Sequence, residues 1–516
     1  MGTGTEGPGS TPRVSLEASR LSFDSIVSSG TTPRGAGRAE PVGPDAEPAE
    51  DPTESSLLLG TNEPPPQWGR FPALGVLSLY AFLHNFKPSE PFLVSFLVHE
   101  KGFPEPVVRD QIFAVWIYAH APALLVTGLL SELIGCKPVV LGGAVAGALT
   151  VALTLFGEAL ELMQLSQVTV ATSFACYTSF WALVFYSVTP TQYQASAHVT
   201  KSAALAAVCS SALLGQMLSE RVPLRGLFWV SLVMQWCAVA CAALLPSGKR
   251  QAGADSRSQE GDRAGALVVA AFAGTLLEVG RDVWKALAVL DVAAWIVWLI
   301  AASSVHQLVI TFWQNLACRG SSGCNRAANG YVLAAAYFSA GLVTMGSARL
   351  PFRRFSRFFL LISLALLGAL VIVMASGGLA RLYVALVAAQ ILYELGSAVG
   401  ITQIAGDVTD AAATRFSHAV HRGAGVVTEP RLPALFSFHN VVSVGLESAM
   451  QLTMQKGLRM GITARFTAMG VLLCCAAAVL GVWLSVKTVQ QKRMPAHLED
   501  AFSAAAYRVK EFFSSA

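Results

Sequence analysis

The side chains able to do chemistry lie in unusual company. His84, Glu90, Trp116, Tyr118, His120, Tyr177, Asp291, His306, Gln307, Gln390, Glu394, Asp407, His439, Asn440 and Glu447 all fall within or beside long apolar runs. In hydrocarbon an ionisable group costs about 2.5–3.5 kcal/mol on insertion scales, so each one needs a partner, a cavity or a ligand. No arrangement among them does covalent chemistry. There is no Ser–His–Asp order with its supporting turns, no His-Glu-x-x-His helix and no phosphate-cradling Walker loop, so a membrane enzyme and an ATP-driven pump on this chain are both set aside. What remains is recognition. The clearest element is Lys87-Pro88-Ser89-Glu90-Pro91-Phe92-Leu93, where two prolines bracket a glutamate at the end of an apolar run. Proline-broken backbone at membrane depth is tolerated where it lines a cavity, which makes Glu90 a ligand candidate. The competing reading is an interfacial pair between Lys87 and Glu90, three residues apart. Trp116 offers a π-face to a cation, or an interfacial aromatic anchor. His306 and Gln307 suit either substrate contact or interhelical hydrogen bonding.

These residues are carried by elements that composition already identifies. Lys, Arg, Asp and Glu make up 13% of 516 residues, apolar types 53%, and the formal net charge is +4. That charged share is about half of what a soluble domain carries, and the small excess gives no reason to expect a nucleic-acid partner. Apolar runs of bilayer-spanning length cover 71–87, 107–130, 138–156, 164–188, 202–219 and 227–245, then 287–313, 330–347, 358–376, 381–404, 433–455 and 464–486. The predicted fold is therefore an all-α membrane protein with twelve transmembrane helices in two six-helix bundles, 69–245 and 287–487. The segment 246–286 reads as a cytosolic linker that ends in an amphipathic helix, Ala264–Asp282. Residues 1–68 hold ten acidic residues against four arginines in a Gly/Pro/Ser/Thr-rich stretch, and 488–516 form a second tail. The first tail is too poor in apolar residues to fold and is expected to be disordered and cytosolic. Within the second, Glu499–Phe513 has the pattern of a short surface helix.

Lysine and arginine counts set the orientation. With the N-terminus inside, the inner loops hold fifteen, including Lys201 and the Arg349–Arg354 cluster, and the outer loops hold ten. Both termini are then cytosolic. Cys318 and Cys324 flank a Gly/Ser loop on the outer side, where they have the spacing for a disulfide; two unrelated thiols is the other reading. The other cysteines read as small buried hydrophobes. No metal-type spacing is present, and no cofactor or metal is expected.

The Lys87–Leu93 run resembles the reduced folate carrier family, which includes vertebrate folate and thiamine transporters. The likeness continues in order through Val115-Trp116-Ile117-Tyr118, Gly135-Cys136-Lys137-Pro138-Val139-Val140, Pro190 with Tyr193-Gln194, Leu214-Gly215-Gln216, Asn329-Gly330, Gln403-Ile404-Ala405 and Ala434-Leu435 with Asn440. It covers about residues 70–485. The resemblance implies a major-facilitator-type fold, two six-helix halves around a central cavity. It also implies that folate-type members hold a dianion with basic residues in the fourth, tenth and eleventh spans. Here those positions carry Tyr177, Gln390 and Ser448, none of them cationic. The Lys87–Leu93 and Val115–Tyr118 motifs are closer to the thiamine-type members, in which the glutamate and tryptophan contact a cationic aromatic vitamin. Those members also carry an acid in the fourth span, where this chain has Tyr177; Glu394 and Glu447 are the candidates to replace it.

The expected function is secondary active or facilitative transport of a water-soluble vitamin by alternating access, thiamine-like substrates first and reduced folates second. The expected binding set is Glu90, Trp116, Tyr118, Tyr177, Gln307, Gln390 and Glu394. Expected partners are the vitamin, the lipid bilayer of the plasma membrane, and a coupling proton or counter-anion as an open alternative. A non-transporting receptor or scaffold of the same fold is the reading from another class.

Overall fold

The computed structural model describes residues 70–219, 221–247, 264–317, 326–421 and 431–493. The tail 1–68, most of 488–516 with its surface-helix segment, and the pair Cys318 and Cys324 lie outside the described residues. Among those described there is no strand. The long helices are α1 (Arg70–Asn85), α2 (Phe113–Ile134), α3 (Cys136–Phe156), α4 (Leu160–Tyr186), α5 (Tyr193–Ser219), α6 (Leu224–Ala243), α7 (Ala264–Leu287), α8 (Leu290–Ala317), α9 (Arg326–Gly346), α10 (Phe352–Ser376), α11 (Leu379–His421), α12 (Leu432–Leu452) and α13 (Ile462–Arg493). Ten of them are long and apolar enough to cross a membrane. The shorter α1 and the more polar α12, with His439, Asn440 and Glu447, fall outside that group but pack within the bundles like the rest. The chain is a multi-pass integral membrane protein.

Packing follows a repeated scheme. Within α1–α6, α1 lies against α5, α2 against α4, and α3 against α6. Within α8–α13 the counterparts recur: α8 against α12, α9 against α11, and α10 against α13. Two bundles of the same design therefore face each other, with α5 against α9 and α2 against α12 as matching contacts across the interface. Small residues permit the approach. A β-carbon on Gly128 of α2 would stand 2.6 Å from Ser437 Oγ of α12, so only glycine fits there.

The cross-bundle hydrogen bonds cluster at one end, the end that carries α7, called here the linker side. Gln194 at the start of α5 donates to the carbonyls of Ser347, Ala348 and Leu350, at 3.3, 3.2 and 2.6 Å. His198 Nδ1 lies 3.0 Å from both Thr344 O and Ser347 Oγ, and Ser202 donates to Gly341 O at 3.0 Å. The Leu432 amide at the head of α12 donates to Tyr186 Oη of α4 at 3.2 Å. The bundles are thus fastened together on the linker side.

One boundary corrects the sequence reading. The fifth span was expected to begin at 202, which left Lys201 in an inner loop. Helix α5 instead starts at Tyr193, so Lys201 lies two turns inside it. Lysine marks a loop only while its charge needs water, and here a carboxylate from the other bundle supplies the partner.

Candidate functional site

The proline-broken turn after α1 is held by its surroundings. Ser89 N–H donates to Ser231 Oγ of α6 at 3.1 Å, and Gln235 of α6 donates to His84 O at 3.1 Å. Helix α5 comes so close that a β-carbon on Gly215 would sit 2.6 Å from Pro88 O. These contacts aim Lys87 and Glu90 into a cavity of about 280 Å³ between the ends of α1–α4 and α6 remote from the linker, with Gln307 of α8 on its far wall. Trp116, Phe174 and Phe228 add aromatic lining, and Ser89, Thr150, Thr154 and Gln167 add polar lining. The volume is at the low end of small-molecule sites.

Glu90 makes no ion pair with Lys87. The Lys87 ammonium lies instead over the Phe174 ring, 5.1 Å from its centroid. A cation and an anion thus line one cavity without neutralising each other. Trp116 packs on His120 at 4.9 Å between centroids, which sets its ring plane.

A second polar layer lies deeper, between the bundles. His306 Nε2 of α8 is 2.8 Å from Gln390 Oε1 of α11; that oxygen accepts, so the imidazole donates. Gln390 Nε2 donates to Glu394 Oε1 at 3.0 Å. Glu394 Oε2 is 2.8 Å from Lys201 Nζ of α5, and the two side chains are 8% and 20% exposed. Tyr393 stacks on His306 at 3.6 Å and donates to Ser303 Oγ at 3.2 Å. Tyr177 accepts from Asn85 Nδ2 at 3.2 Å, stacks on His84 at 4.7 Å, and lies within electrostatic reach of Lys201 and Glu394.

The seven expected binding residues are therefore divided. Glu90, Trp116 and Gln307 line the cavity. Tyr177, Gln390 and Glu394 belong to the deeper layer. Tyr118 joins neither; it is 78% exposed, because residues two apart on a helix point in nearly opposite directions. Ser448, which the family resemblance set at the position of a basic anchor, is half-buried and outside the cavity lining. Sequence reasoning missed Lys201, and took Lys87 only as a possible neighbour for Glu90. A lysine beside an apolar run was the available signal for Lys201; its partner was not.

Two packed bundles with polar layers between them define a class of membrane protein. The human organic anion transporter MFSD10 has the same architecture, with a TM-score of 0.51 at 16% identity over 79% of this chain and 98% of its own. The E. coli fucose:proton symporter FucP gives 0.56 at 12% identity over 80% and 98%. The fold is of major-facilitator type. The reduced folate carrier family profile matches residues 69–414, and the chain belongs to that family. A folate-like transporter of Dictyostelium discoideum is 31% identical over 58% of this chain and 50% of its own length. The mouse thiamine transporter 2 is 28% identical over 36% and 39%, and the human reduced folate transporter 26% identical over 53% and 51%. The chain thus spans about half the length, or less, of these relatives.

Proposed function

We propose that this protein carries a small water-soluble vitamin across a membrane by alternating access, as a secondary active or facilitative transporter. The substrate is an aminated heteroaromatic, thiamine-like first. The observation that carries this reading is Glu90 with Trp116 in the lining of one small cavity, the carboxylate in no ion pair among the described residues. A charge-assisted bond to an aminopyrimidine or a cation would satisfy the glutamate, and the indole face would stack on the ring. Family membership supports transport rather than catalysis. The closed linker side and the cavity toward the other side are one of the two arrangements that alternating access requires. The linker side is proposed to be cytosolic, on the lysine and arginine bias, and the membrane to be the plasma membrane.

Reduced folate is the second reading, favoured by Lys87, a cation in the same cavity with no carboxylate paired to it among the described residues. Uptake of labelled thiamine and of a labelled folate in cells lacking their own carriers, each competed by the other, separates the two. Folate inhibition at micromolar concentration with no effect of thiamine would overturn the thiamine assignment. No accumulation of either, with the protein at the surface, would favour the receptor or scaffold reading.

A further inference from the structure

Helix α7 has three faces. Val279, Val283 and Ala286, spaced i, i+4 and i+7, turn toward the bundles, and the two valines are buried in the main core. Glu278, Asp282 and Lys285 form a second stripe at the same spacing. Glu278 and Asp282 hold Arg431 at 3.3 and 3.0 Å, and Lys285 pairs with Asp282 at 2.7 Å. The third stripe is Leu277, Arg281 and Trp284. Leu277 and Trp284 are each 76% exposed, and Leu276 beside them is 49% exposed. A helix facing only protein and water needs no such stripe.

We infer that the Leu276/Leu277/Trp284 face of α7 lies in the headgroup–acyl boundary of the linker-side leaflet, so that the partner of this surface is the phospholipid bilayer. Continuity supports the choice of partner. Helix α7 ends at Leu287, and α8, a membrane-spanning helix, begins at Leu290. The apolar stripe therefore sits beside the edge of the lipid-facing surface. Tryptophan and leucine are the residues that interfacial helices bury there, and arginine at the rim matches a headgroup phosphate. Arg281 is exposed and makes no ion pair among the described residues, which leaves it available.

The placement has a mechanical consequence. Helix α7 contacts α2 of one bundle and α12 of the other. Its acidic stripe grips Arg431, the residue before Leu432, whose amide makes the cross-bundle bond to Tyr186. Lipid contact with α7 would thus hold the head of α12 against α4 and favour the closed linker side.

The test uses the full chain in phosphatidylcholine–phosphatidylserine liposomes with a benzophenone amino acid placed singly at Leu277, Trp284 or Lys285. Lipid adducts are expected at Leu277 and Trp284, with several-fold lower yield at Lys285 on the charged stripe. Equal yields at all three positions, or no lipid adduct at Trp284, would overturn the inference. Crosslinking does not depend on transport, so it can fail or succeed independently of the proposed substrate. A second measurement guards against misfolding. Trp284→Leu is expected to keep the thermal midpoint and uptake of the unmodified protein, and Trp284→Glu to keep the midpoint while losing uptake several-fold. Equal uptake by the two would refute a role for lipid contact.

Discussion

Replacing Glu394 with glutamine should do more damage than its small change of shape suggests. The substitution keeps an oxygen for Gln390 Nε2 but turns the charged oxygen facing Lys201 into a neutral amide NH2, which cannot accept from the ammonium. At 2.8 Å, and with an effective dielectric near 20, the attraction in this pair is about 6 kcal/mol. Desolvation of two buried ions offsets most of it, so the pair adds little net stability. Removing one partner is different: the remaining ion stays buried and unpaired, at about 3–5 kcal/mol. The pair joins α5 to α11 beside the His198 and Ser202 contacts that close the linker side. The penalty therefore falls on this closed arrangement and is relieved when that side opens to water. Even 3 kcal/mol changes the ratio of the two states by more than about a hundredfold. Thiol labelling of a cysteine placed at Ser347, buried in the closed interface, reads the population; uptake per surface molecule reads the function. Both Glu394→Gln and Lys201→Met should speed labelling and suppress uptake. The double variant, with no orphaned charge, should recover most of both, for a coupling energy of at least about 2 kcal/mol. Wild-type labelling and uptake in Glu394→Gln, or a double variant as impaired as the sum of the singles, would refute the reasoning.

Glu90→Gln should raise the substrate concentration for half-maximal uptake at least tenfold, about 1.4 kcal/mol, with surface expression preserved. Adding Lys87→Met should not restore it, because the lysine rests on Phe174 rather than on the glutamate; full recovery would show that the glutamate served its neighbour. Gly215→Ala should weaken substrate affinity and lower the thermal midpoint, since its β-carbon would meet the Pro88 carbonyl at 2.6 Å and a backbone atom cannot swing aside. An unchanged midpoint and affinity would show that the turn adapts. Gln194→Ala removes three contacts to carbonyls on the linker side and should speed labelling of the Ser347 cysteine without changing substrate affinity in the cavity. Deleting Met1–Asn62 should leave uptake per surface molecule unchanged, because that composition cannot build a core; a several-fold loss would assign the tail a gating role.

The sequence alone determined the class of molecule and much of its plan. Apolar runs of bilayer length need no tertiary partner to be recognised, because the bilayer itself is the solvent that selects them. The prolines around Glu90 were equally plain, since broken backbone at depth needs a cavity to line. Ordered short motifs carried the family. Tertiary structure decided the rest. Lys201 looked like a loop charge because its counter-charge, Glu394, lies far along the chain and reaches it only when the two bundles meet. Tyr118 and Trp116 share a motif, yet helical geometry sends one to the cavity and the other away from it. Gln390 and Glu394, one turn apart, looked like ligands for a substrate; packing gave them the partners His306 and Lys201, which no local pattern announces. Local sequence records the cost of placing a charge in the membrane; which group relieves that cost depends on contacts between residues remote in the chain, and those are set only by the docking of one bundle on the other.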